Sequence, residues 1–492
     1  MEVLADLQPR KVFQYFEEIT RIPHGSGNVE KISDYLVAFA KERNLRVIQD
    51  DLKNVIIFQD ATPGFEEEPT VILQGHMDMV AVKKPDCAID MLTEGLQVEI
   101  DGDNLYAEGT SLGGDDGIAV AYALAVLDSP EVQHPALEVV ITVDEEVGMD
   151  GAREIDLSVL KGNRLLNLDS EEEGIFLTSC AGGARVSCEL PVKKQVSKGR
   201  LCKLTIGGLQ GGHSGEEINK ERGNSNMLFG RVLWALCQNV PVQLISVAGG
   251  LADNAIPRET VAELLLPGES VADGAMGNNQ VEKLLANCEE EIRTELGQKD
   301  PDFHMTWEIA AQEASLNAVP AADTKRAAAL LTALPNGVQN MSADVPGLVE
   351  TSLNLGILSM TEEGLDAEFS VRSSVESAKE ALIRKLFAVT SLAGGSNHVT
   401  GDYPGWKYRA ASPLREKMIR VYREMYGREP EVAAIHAGLE CGLLGSKIKD
   451  LDCVSIGPNM KNIHTTEETL SISSTRRVWE YLVKLLGTKE GE

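Results

Sequence analysis

Three short apolar runs in the first half of the chain each end in an acidic residue or a histidine. They are VILQG before His76 and Asp78, LEVVITV before Asp144, Glu145 and Glu146, and RLLNL before Asp169. Short apolar runs bounded by polar residues predict buried strands. Enough residues separate the runs for helical crossovers, so they predict an α/β domain on a mostly parallel sheet.

The middle of the chain follows a different pattern. Between residues 187 and 400, short alternating strands such as RVSCELPV mix with helical stretches such as VEKLLANCEEEIRTEL, which is typical of an α+β domain. Since 492 residues exceed what one hydrophobic core usually supports, two or three domains are expected. We predict a catalytic domain formed by residues 1–186 and 401–492, with an inserted α+β domain at 187–400.

Charge and cysteine usage limit the partners and the compartment. The net charge of −30 argues against nucleic acid or an anionic membrane as a partner, because both attract basic surfaces. The eight cysteines are scattered, without a C-x-x-C pair, which is typical of reduced thiols in the cytosol. The longest apolar stretch, about 118–127, is too short to span a bilayer, and the first residues lack a signal-peptide pattern. We therefore expect a cytoplasmic protein.

The ends of the predicted strands carry residues that bind metal ions. The carboxyl ends of parallel strands meet at one edge of a sheet, where open α/β proteins bind their ligands. Two further segments could reach this edge: GTSLGGDDG, with Asp115 and Asp116, and the loop after DCVSIGP, with His464. So many carboxylates at one edge would repel each other without a cation. The sequence therefore predicts a metal site.

Each of these segments also has a purely structural interpretation. The Asp-Asp-Gly sequence fits a turn with a helix cap. Thr465 and Glu468 fit a capping box that opens a helix. The prediction of a metal site depends on all the segments occurring together.

Mixed histidine and carboxylate ligands suit zinc, with manganese and cobalt as alternatives. Several carboxylates can hold two ions that share a bridging carboxylate. In the Glu145–Glu146 pair, one glutamate can bind a metal while its neighbour takes a proton from the attacking water. We expect His76 to be a metal ligand whose ring is held by Asp78.

A series of motifs resembles one known family along nearly the whole chain. The motifs, in order, are GHMDMV, GTSLGGDDGI, TVDEEVGMDGA, NLDSEEEG, GGHSG, NAIPRE, YPGW, HAGLECG and SIGPNMKNIHTTEE. They resemble the aminoacyl-histidine dipeptidase (cytosol non-specific dipeptidase) family, a branch of the dizinc aminoacylase and carboxypeptidase superfamily. The resemblance implies a zinc-peptidase-like catalytic domain with an inserted lid domain that commonly carries a dimer contact. It also implies hydrolysis of dipeptides, Xaa-His dipeptides among them.

The resemblance also implies a role for individual residues. His76 and Asp169 would hold one zinc, Glu146 and His464 the other, and Asp115 would bridge them. Glu145 would be the general base and Asp78 would orient His76. At the position after the bridging aspartate the family often has asparagine, whereas this chain has Asp116, which adds a carboxylate near the site.

The same resemblance implies a catalytic role for one residue of the middle segment and substrate binding for two others. His213 would stabilise the oxyanion, in its own active site or in that of a partner subunit. Arg372 would grip the substrate carboxylate bidentately, and Asn254 would hydrogen-bond the substrate. The sequence assigns no role to His436, Glu440 or the acidic run 171–173.

Other functions remain open at this point. A tripeptidase or an N-acyl-amino-acid deacylase of the same superfamily would share the ligands, although HAGLECG and SEEEG favour dipeptides. A non-catalytic metal-binding scaffold is a third alternative. Glu145 beside Glu146 argues against it, because a purely structural site needs no free base.

Overall fold

The structure is a computed structural model that describes residues 3–266, 278–343 and 345–491. Its chain divides into two compact units. The first unit consists of Met1–Cys180, Trp406–Ala434 and Leu439–Glu492, and the second of Ala181–Gly405 and Ile435–Gly438. Each unit contains its own hydrophobic core. None of the helices in the described ranges is long and apolar enough to cross a membrane.

The α-helices of the described residues are numbered in chain order. They are α1 (Arg10–Thr20), α2 (Glu30–Glu42), α3 (Gly114–Leu127), α4 (Asp150–Glu154), α5 (Ser225–Asn239), α6 (Asn278–Leu296), α7 (Ala321–Ala333), α8 (Glu376–Leu392), α9 (Pro413–Tyr426), α10 (Glu440–Lys447) and α11 (Ile472–Leu486).

The strands of the same residues are numbered in the same way. They are β1 (Arg46–Gln49), β2 (Val55–Gln59), β3 (Val71–His76), β4 (Val98–Asp101), β5 (Asn104–Ala107), β6 (Leu137–Thr142), β7 (Arg164–Asn167), β8 (Ile175–Cys180), β9 (Gly182–Pro191), β10 (Gln195–Gly207), β11 (Gly212–His213), β12 (Gln243–Gly249), β13 (Ala255–Ile256), β14 (Thr260–Leu266), β15 (His304–Ala318), β16 (Gly337–Met341), β17 (Val349–Met360), β18 (Gly364–Ser373), β19 (Ser396–Tyr403), β20 (Glu431–Ile435), β21 (Asp452–Ser455), β22 (Met460–Lys461) and β23 (Thr469–Ser471).

The first unit is built on an eight-stranded sheet in the order β1-β2-β6-β3-β7-β21-β8-β20. The four central strands β6, β3, β7 and β21 are parallel, whereas β1, β2 and β8 are antiparallel to their neighbours. The α/β fold expected from the sequence is confirmed, and its parallel part is the centre of a mixed sheet. The strands that carry the candidate ligands belong to this centre.

Burial explains why the central elements are mostly apolar, without regular alternation of polar and apolar residues. All six residues of β3 and all six of β6 are buried, and so is every residue of α3. A strand covered on both faces has no solvent side, so it lacks the alternating pattern of a half-exposed strand. By contrast, α11 is amphipathic and buries Val478, Tyr481, Leu482 and Leu485 at helical spacing.

A separate four-stranded sheet in the order β22-β23-β5-β4 belongs to the same unit. Its β4–β5 hairpin pairs Asp101 with Asn104 across a two-residue turn, in which Gly102 has φ 59°. The Asp-Gly sequence predicts such a turn, because glycine adopts positive φ at no steric cost. Strand β23 pairs with β5 and so fixes the chain just after His464 against the first half of the unit.

The second unit is built on a nine-stranded sheet. Its order is β15-β10-β14-β12-β17-β18-β9-β19, with β16 paired to β17. The described strand pairs of this sheet are all antiparallel, and helices α5 to α8 lie in the same unit. Antiparallel strands mixed with helices agree with the α+β pattern of the middle sequence.

Candidate active site

The parallel strands of the first unit end at one edge of the sheet. His76, the last residue of β3, lies opposite Thr142, the last residue of β6. Gln74 of β3 lies opposite Asn167, the last residue of β7. The segments after these strands therefore leave the sheet side by side. They carry Asp78, Glu145, Glu146 and Asp169.

The ring of His76 is held from its Nδ1 side. Nδ1 lies 2.9 Å from the backbone carbonyl oxygen of Asp78, and a carbonyl can only accept, so Nδ1 donates. In the neutral ring, Nε2 then keeps a lone pair. This atom faces Asp115 Oδ1 at 3.2 Å and Asp169 Oδ1 at 3.6 Å. Nε2 is therefore the atom of His76 that can bind a metal.

The carboxylate of Asp78 makes closer contacts with the segment of Glu145 and Glu146 than with the ring of His76. It lies 3.5 Å from Nδ1 of His76, farther than the backbone carbonyl of the same residue. It accepts hydrogen bonds from Ser26 Oγ at 2.8 Å, from Glu145 N–H at 3.1 Å and from Glu146 N–H at 3.4 Å. Asp78 thus holds His76 through its backbone and holds the two glutamates through its side chain.

Asp115 lies between two imidazoles. Its Oδ1 faces His76, and its Oδ2 lies 3.1 Å from Nε2 of His464. The same nitrogen of His464 lies 3.0 Å from Oε1 of Glu146. Together with the contact between His76 and Asp169, these distances bring all five residues predicted as metal ligands into one cluster.

The donor atoms of this cluster are suitable for metal binding. One donor atom from each of His76, Asp115 and Glu146 lies within 4.8 Å of the others, and the same holds for His76, Asp116 and Asp169. Asp116 is fully buried. Its Oδ2 accepts the backbone N–H of His76 at 3.1 Å, and its Oδ1 has no hydrogen-bond partner among the described residues. Imidazole and carboxylate donors with an unpartnered buried oxygen fit a divalent cation.

The carboxylates strongly affect the two imidazoles. Burial lowers the pKa of His76, but hydrogen bonds to Asp115 and Asp169 outweigh it, so this pKa lies well above its ordinary value. Hydrogen bonds to Asp115 and Glu146 raise the pKa of His464 to about 10. In the absence of a metal ion, the carboxylates therefore favour the protonated form of both rings.

Several carboxyl groups of the cluster resist ionisation. Burial raises the pKa of Asp169 to about 8, although His76 counteracts it. Burial, followed by the charge of Asp169, raises the pKa of Asp116 well above its ordinary value. The pKa of Glu145 is also well above its ordinary value, for which enclosure by protein is the main cause. A cation would supply the positive charge that favours the ionised carboxylates.

A buried polar network, missed by sequence reasoning, links the strands that lead to the site. Oε2 of Glu440 accepts hydrogen bonds from Gln74 Nε2 at 2.5 Å and from Thr142 Oγ1 at 2.6 Å. Gln74 Oε1 in turn accepts from Asn167 Nδ2 at 2.6 Å. Glu440 is fully buried, which raises its pKa to about 7. The only sequence signal was the polar residues Gln74, Thr142 and Asn167 inside apolar strands.

Replacing Glu440 by alanine is expected to lower the free energy of unfolding by roughly 2–6 kcal/mol. The change removes the nearest acceptor of the buried amide of Gln74 and of the hydroxyl of Thr142, at about 1–3 kcal/mol each. Urea unfolding in the presence of a chelator would measure the loss without a contribution from bound metal. Glu431→Ala, at an exposed position of β20, is the control. A Glu440→Ala protein as stable as this control would contradict the assigned role of the network.

His213, predicted to be catalytic, and Asn254, predicted to bind substrate, are neighbours in the second unit. His213 of β11 pairs with Ala255 of β13, and the N–H of Ser214 donates to the carbonyl of Asn254 at 2.8 Å. His213 and Asn254 line an open groove of about 820 Å³ within this unit. Both side chains are therefore available to a ligand that enters the groove.

Arg372 of β18, only 9% exposed, lies among other polar groups of the same unit. Its Nη1 is 3.5 Å from the hydroxyl of Tyr403, and its Nε has no hydrogen-bond partner among the described residues. Burial, with the charge of Arg372 second, lowers the pKa of His213 and lowers that of His436 to about 3. His436 Nε2 lies 2.7 Å from Ser352 Oγ. Arg372 is thus a nearly buried cation beside imidazoles that stay neutral.

An open α/β sheet with imidazoles and carboxylates gathered at its carboxyl edge, next to a further glutamate, has the groups that a metal-dependent hydrolase requires. Comparison with known families shows to which family of hydrolases the chain belongs. The chain belongs to the peptidase family M20/M25/M40, whose model matches residues 72–488. It is therefore a peptidase, as the resemblance of its motifs predicted.

Individual relatives match over the whole length. The chain is 37% identical to the cytosol non-specific dipeptidase of Escherichia coli (strain K12), over 99% of each chain. The structure matches that of aminoacylhistidine dipeptidase from Vibrio alginolyticus with a TM-score of 0.90 and 38% identity, covering 98% of this chain and 97% of that one. Aminopeptidase PepT from Bacillus cereus, with a TM-score of 0.55, 15% identity and 98% coverage of both chains, shares the fold.

Proposed function

We propose that this protein hydrolyses the peptide bond of dipeptides, including Xaa-His dipeptides, with two divalent cations bound in the first unit. The observation that carries the proposal is the clustering of the five predicted ligands next to Glu145. Full-length similarity to two proteins named as dipeptidases supports dipeptides as the substrate class. Release of histidine from Ala-His, lost with a chelator and restored by metal, tests the proposal.

In this proposal His76 and Asp169 would hold one cation, Glu146 and His464 would hold the other, and Asp115 would be shared by both. Zinc suits this mixture of imidazole and carboxylate donors, and manganese and cobalt are alternatives. When bound, the cations supply Lewis acidity, which polarises a carbonyl group and makes water a stronger acid. Elemental analysis of the purified protein would identify the metal.

Glu145 serves as the general base. It takes a proton from the attacking water and passes it to the leaving amine. Its backbone N–H donates to the carboxylate of Asp78, which fixes the position of the base relative to His76. His213, from the same chain or from a partner subunit, would stabilise the oxyanion of the tetrahedral intermediate, and the loss of one such donor typically raises the barrier by about 2.7–4 kcal/mol.

Arg372 binds the carboxylate of the substrate, and Asn254 hydrogen-bonds the substrate. The planar guanidinium group can grip a carboxylate with two parallel hydrogen bonds. The Nε of Arg372, which has no hydrogen-bond partner among the described residues, and the neutral imidazoles near it support this role.

Arg372→Lys is expected to raise KM for a dipeptide about 10- to 100-fold, with a smaller change in kcat. Lysine keeps the charge but loses the two-pronged contact, and a hydrogen bond to a charged group contributes about 1.5–3 kcal/mol. Steady-state kinetics would compare Ala-His with its C-terminal amide. Arg384→Lys, at an exposed position of α8, is the matched control. An equal rise in KM for the amide would show that Arg372 does not bind the carboxylate.

A tripeptidase or an N-acyl-amino-acid deacylase would use the same cluster. An assay with Ala-His, a tripeptide and an N-acetyl amino acid side by side separates these activities, and we expect the dipeptide to react fastest. A non-catalytic metal-binding scaffold would show full metal occupancy without hydrolysis of any of the three. Glu145 argues against it, because ligand binding alone does not require this residue.

We further propose that residues 187–400 form a lid domain, that the protein is a homodimer through this domain, and that it acts in the cytoplasm. The separate core of the second unit supports a domain of its own. The eight cysteines are free thiols, and the Escherichia coli relative is named as a cytosol enzyme. Analytical ultracentrifugation would test the dimer.

A further inference from the structure

Glu468 binds the backbone of the segment that leads to Asp115. Its Oε2 accepts the N–H groups of Leu112 at 2.8 Å and Gly113 at 3.2 Å. Its Oε1 accepts those of Gly114 at 2.8 Å and Asp115 at 3.4 Å. Glu468 is only 3% exposed. One buried carboxylate thus satisfies four consecutive backbone donors.

The bound segment has a conformation that few other sequences could adopt. Gly113 has φ 68°, in the left-handed region that favours glycine. A Cβ atom at Gly114 would lie 3.2 Å from Oε1 of Glu468 and 3.2 Å from Sδ of Met460. Asp115 itself is not helical, with φ −83° and ψ 107°. The segment therefore depends on an external acceptor for its N–H groups, because the helical hydrogen-bond pattern does not yet supply one.

The loop that supplies Glu468 also supplies His464. His464 contacts the side chain of Asp115, while Glu468 contacts its backbone. The loop is closed by hydrogen bonds of its own, from Thr465 Oγ1 to the carbonyl of Asn462 at 2.7 Å and from Glu467 N–H to Thr465 Oγ1 at 3.1 Å. No helix begins here, so the capping box considered for Thr465 and Glu468 is wrong.

We infer that Glu468 is a positioning residue for metal binding: it fixes the backbone of Asp115 at the distance from His464 that lets both bind a cation. This inference rests on the proposed function, because it takes Asp115 and His464 as ligands. A carboxylate suits the role, since all of its lone pairs accept, whereas an amide presents N–H groups to at least one of the four donors.

Glu468→Gln is expected to lower the affinity for zinc or cobalt at least tenfold, within the 10- to 100-fold range found when groups that hold ligands are removed. Competition with a chromogenic chelator would measure the affinity, and the absorption of the cobalt-loaded protein would report the altered geometry. Glu467→Gln is the matched control. Glu467 is the preceding residue, has an exposed side chain and pairs with Lys84. We expect the metal affinity of the Glu467→Gln protein to stay within twofold of that of the original protein.

A second measurement does not involve metal. In the metal-free protein, amide hydrogen exchange at residues 112–115 should be faster in Glu468→Gln than in Glu467→Gln, with the rest of the first unit unchanged. If Glu468→Gln does not fold, Glu468→Asp replaces it. Aspartate keeps the charge but is too short to reach all four donors, so we again expect weaker metal binding and faster amide exchange.

The outcomes separate the inference from the proposed function. Unchanged affinity and unchanged exchange in the Glu468 variant would overturn the inference. If exchange rises but the original protein binds no divalent cation, the proposed function fails, and the role in metal binding fails with it. Faster exchange together with weaker metal binding supports both.

Discussion

Replacing Glu145 by glutamine is expected to lower kcat for dipeptide hydrolysis by about 10²–10⁴-fold while the metal content stays unchanged. Glutamine has the shape of glutamate but cannot take the proton of the attacking water, and a positioned general base typically contributes this factor. The backbone of residue 145 still donates to Asp78, so the segment should keep its position. Steady-state kinetics and elemental analysis on the same preparation would measure both quantities.

Asp150→Asn is the control for this experiment. Asp150 follows Glu145 in the same connection, is exposed, and lies 3.9 Å from Arg153. We expect this variant to retain nearly full activity. Turnover of Glu145→Gln within a factor of ten of the original protein would show that another group is the base. Loss of metal from Glu145→Gln would indicate instead that Glu145 is a ligand.

Asp115→Ala is expected to remove both metal binding and the stabilisation that metal provides. Asp115 lies between His76 and His464, so its loss affects both halves of the cluster. At a free metal concentration of about 1,000 times Kd, one bound ion raises the free energy of unfolding by about 4 kcal/mol. We expect the original protein to gain at least this amount over its chelator-treated form, and Asp115→Ala to gain almost none.

Thermal unfolding with and without added zinc would measure this difference, and dipeptide hydrolysis should disappear in parallel. Asp86→Asn, an exposed aspartate of the first unit, is the control and should respond to metal like the original protein. Full metal stabilisation of Asp115→Ala would contradict the bridging role and, with it, the two-cation site.

Much of the candidate site could be predicted from local sequence. The apolar runs of β3, β6 and β7 identified the central strands, and the residues directly after them lie at the same edge of the sheet. Parallel strands end together, so neighbours in the sheet place their following residues together as well. Glu145, Glu146 and Asp169 could be found in this way, because each follows a strand within a few residues.

The roles of single atoms could not be predicted. Sequence reasoning attributed the orientation of His76 to Asp78, and the structure divides this contact between a backbone carbonyl at 2.9 Å and a carboxylate at 3.5 Å. Side-chain type does not reveal which oxygen of a residue faces a ring. The sheet was expected to be mostly parallel; its four central strands are parallel, whereas β1, β2 and β8 are antiparallel to their neighbours.

The sequence by itself determined the fold class, the family and the chemical groups of the site, because apolar periodicity and residue type are local properties. Only the tertiary structure identified Glu440 and Glu468 as partners of the central strands and of the segment before Asp115. Glu440 lies 366 positions from Gln74, and Glu468 lies 356 from Leu112. Hydrogen bonds over such separations form when distant segments are packed into one core, and no local pattern indicates which buried acid will meet which donor.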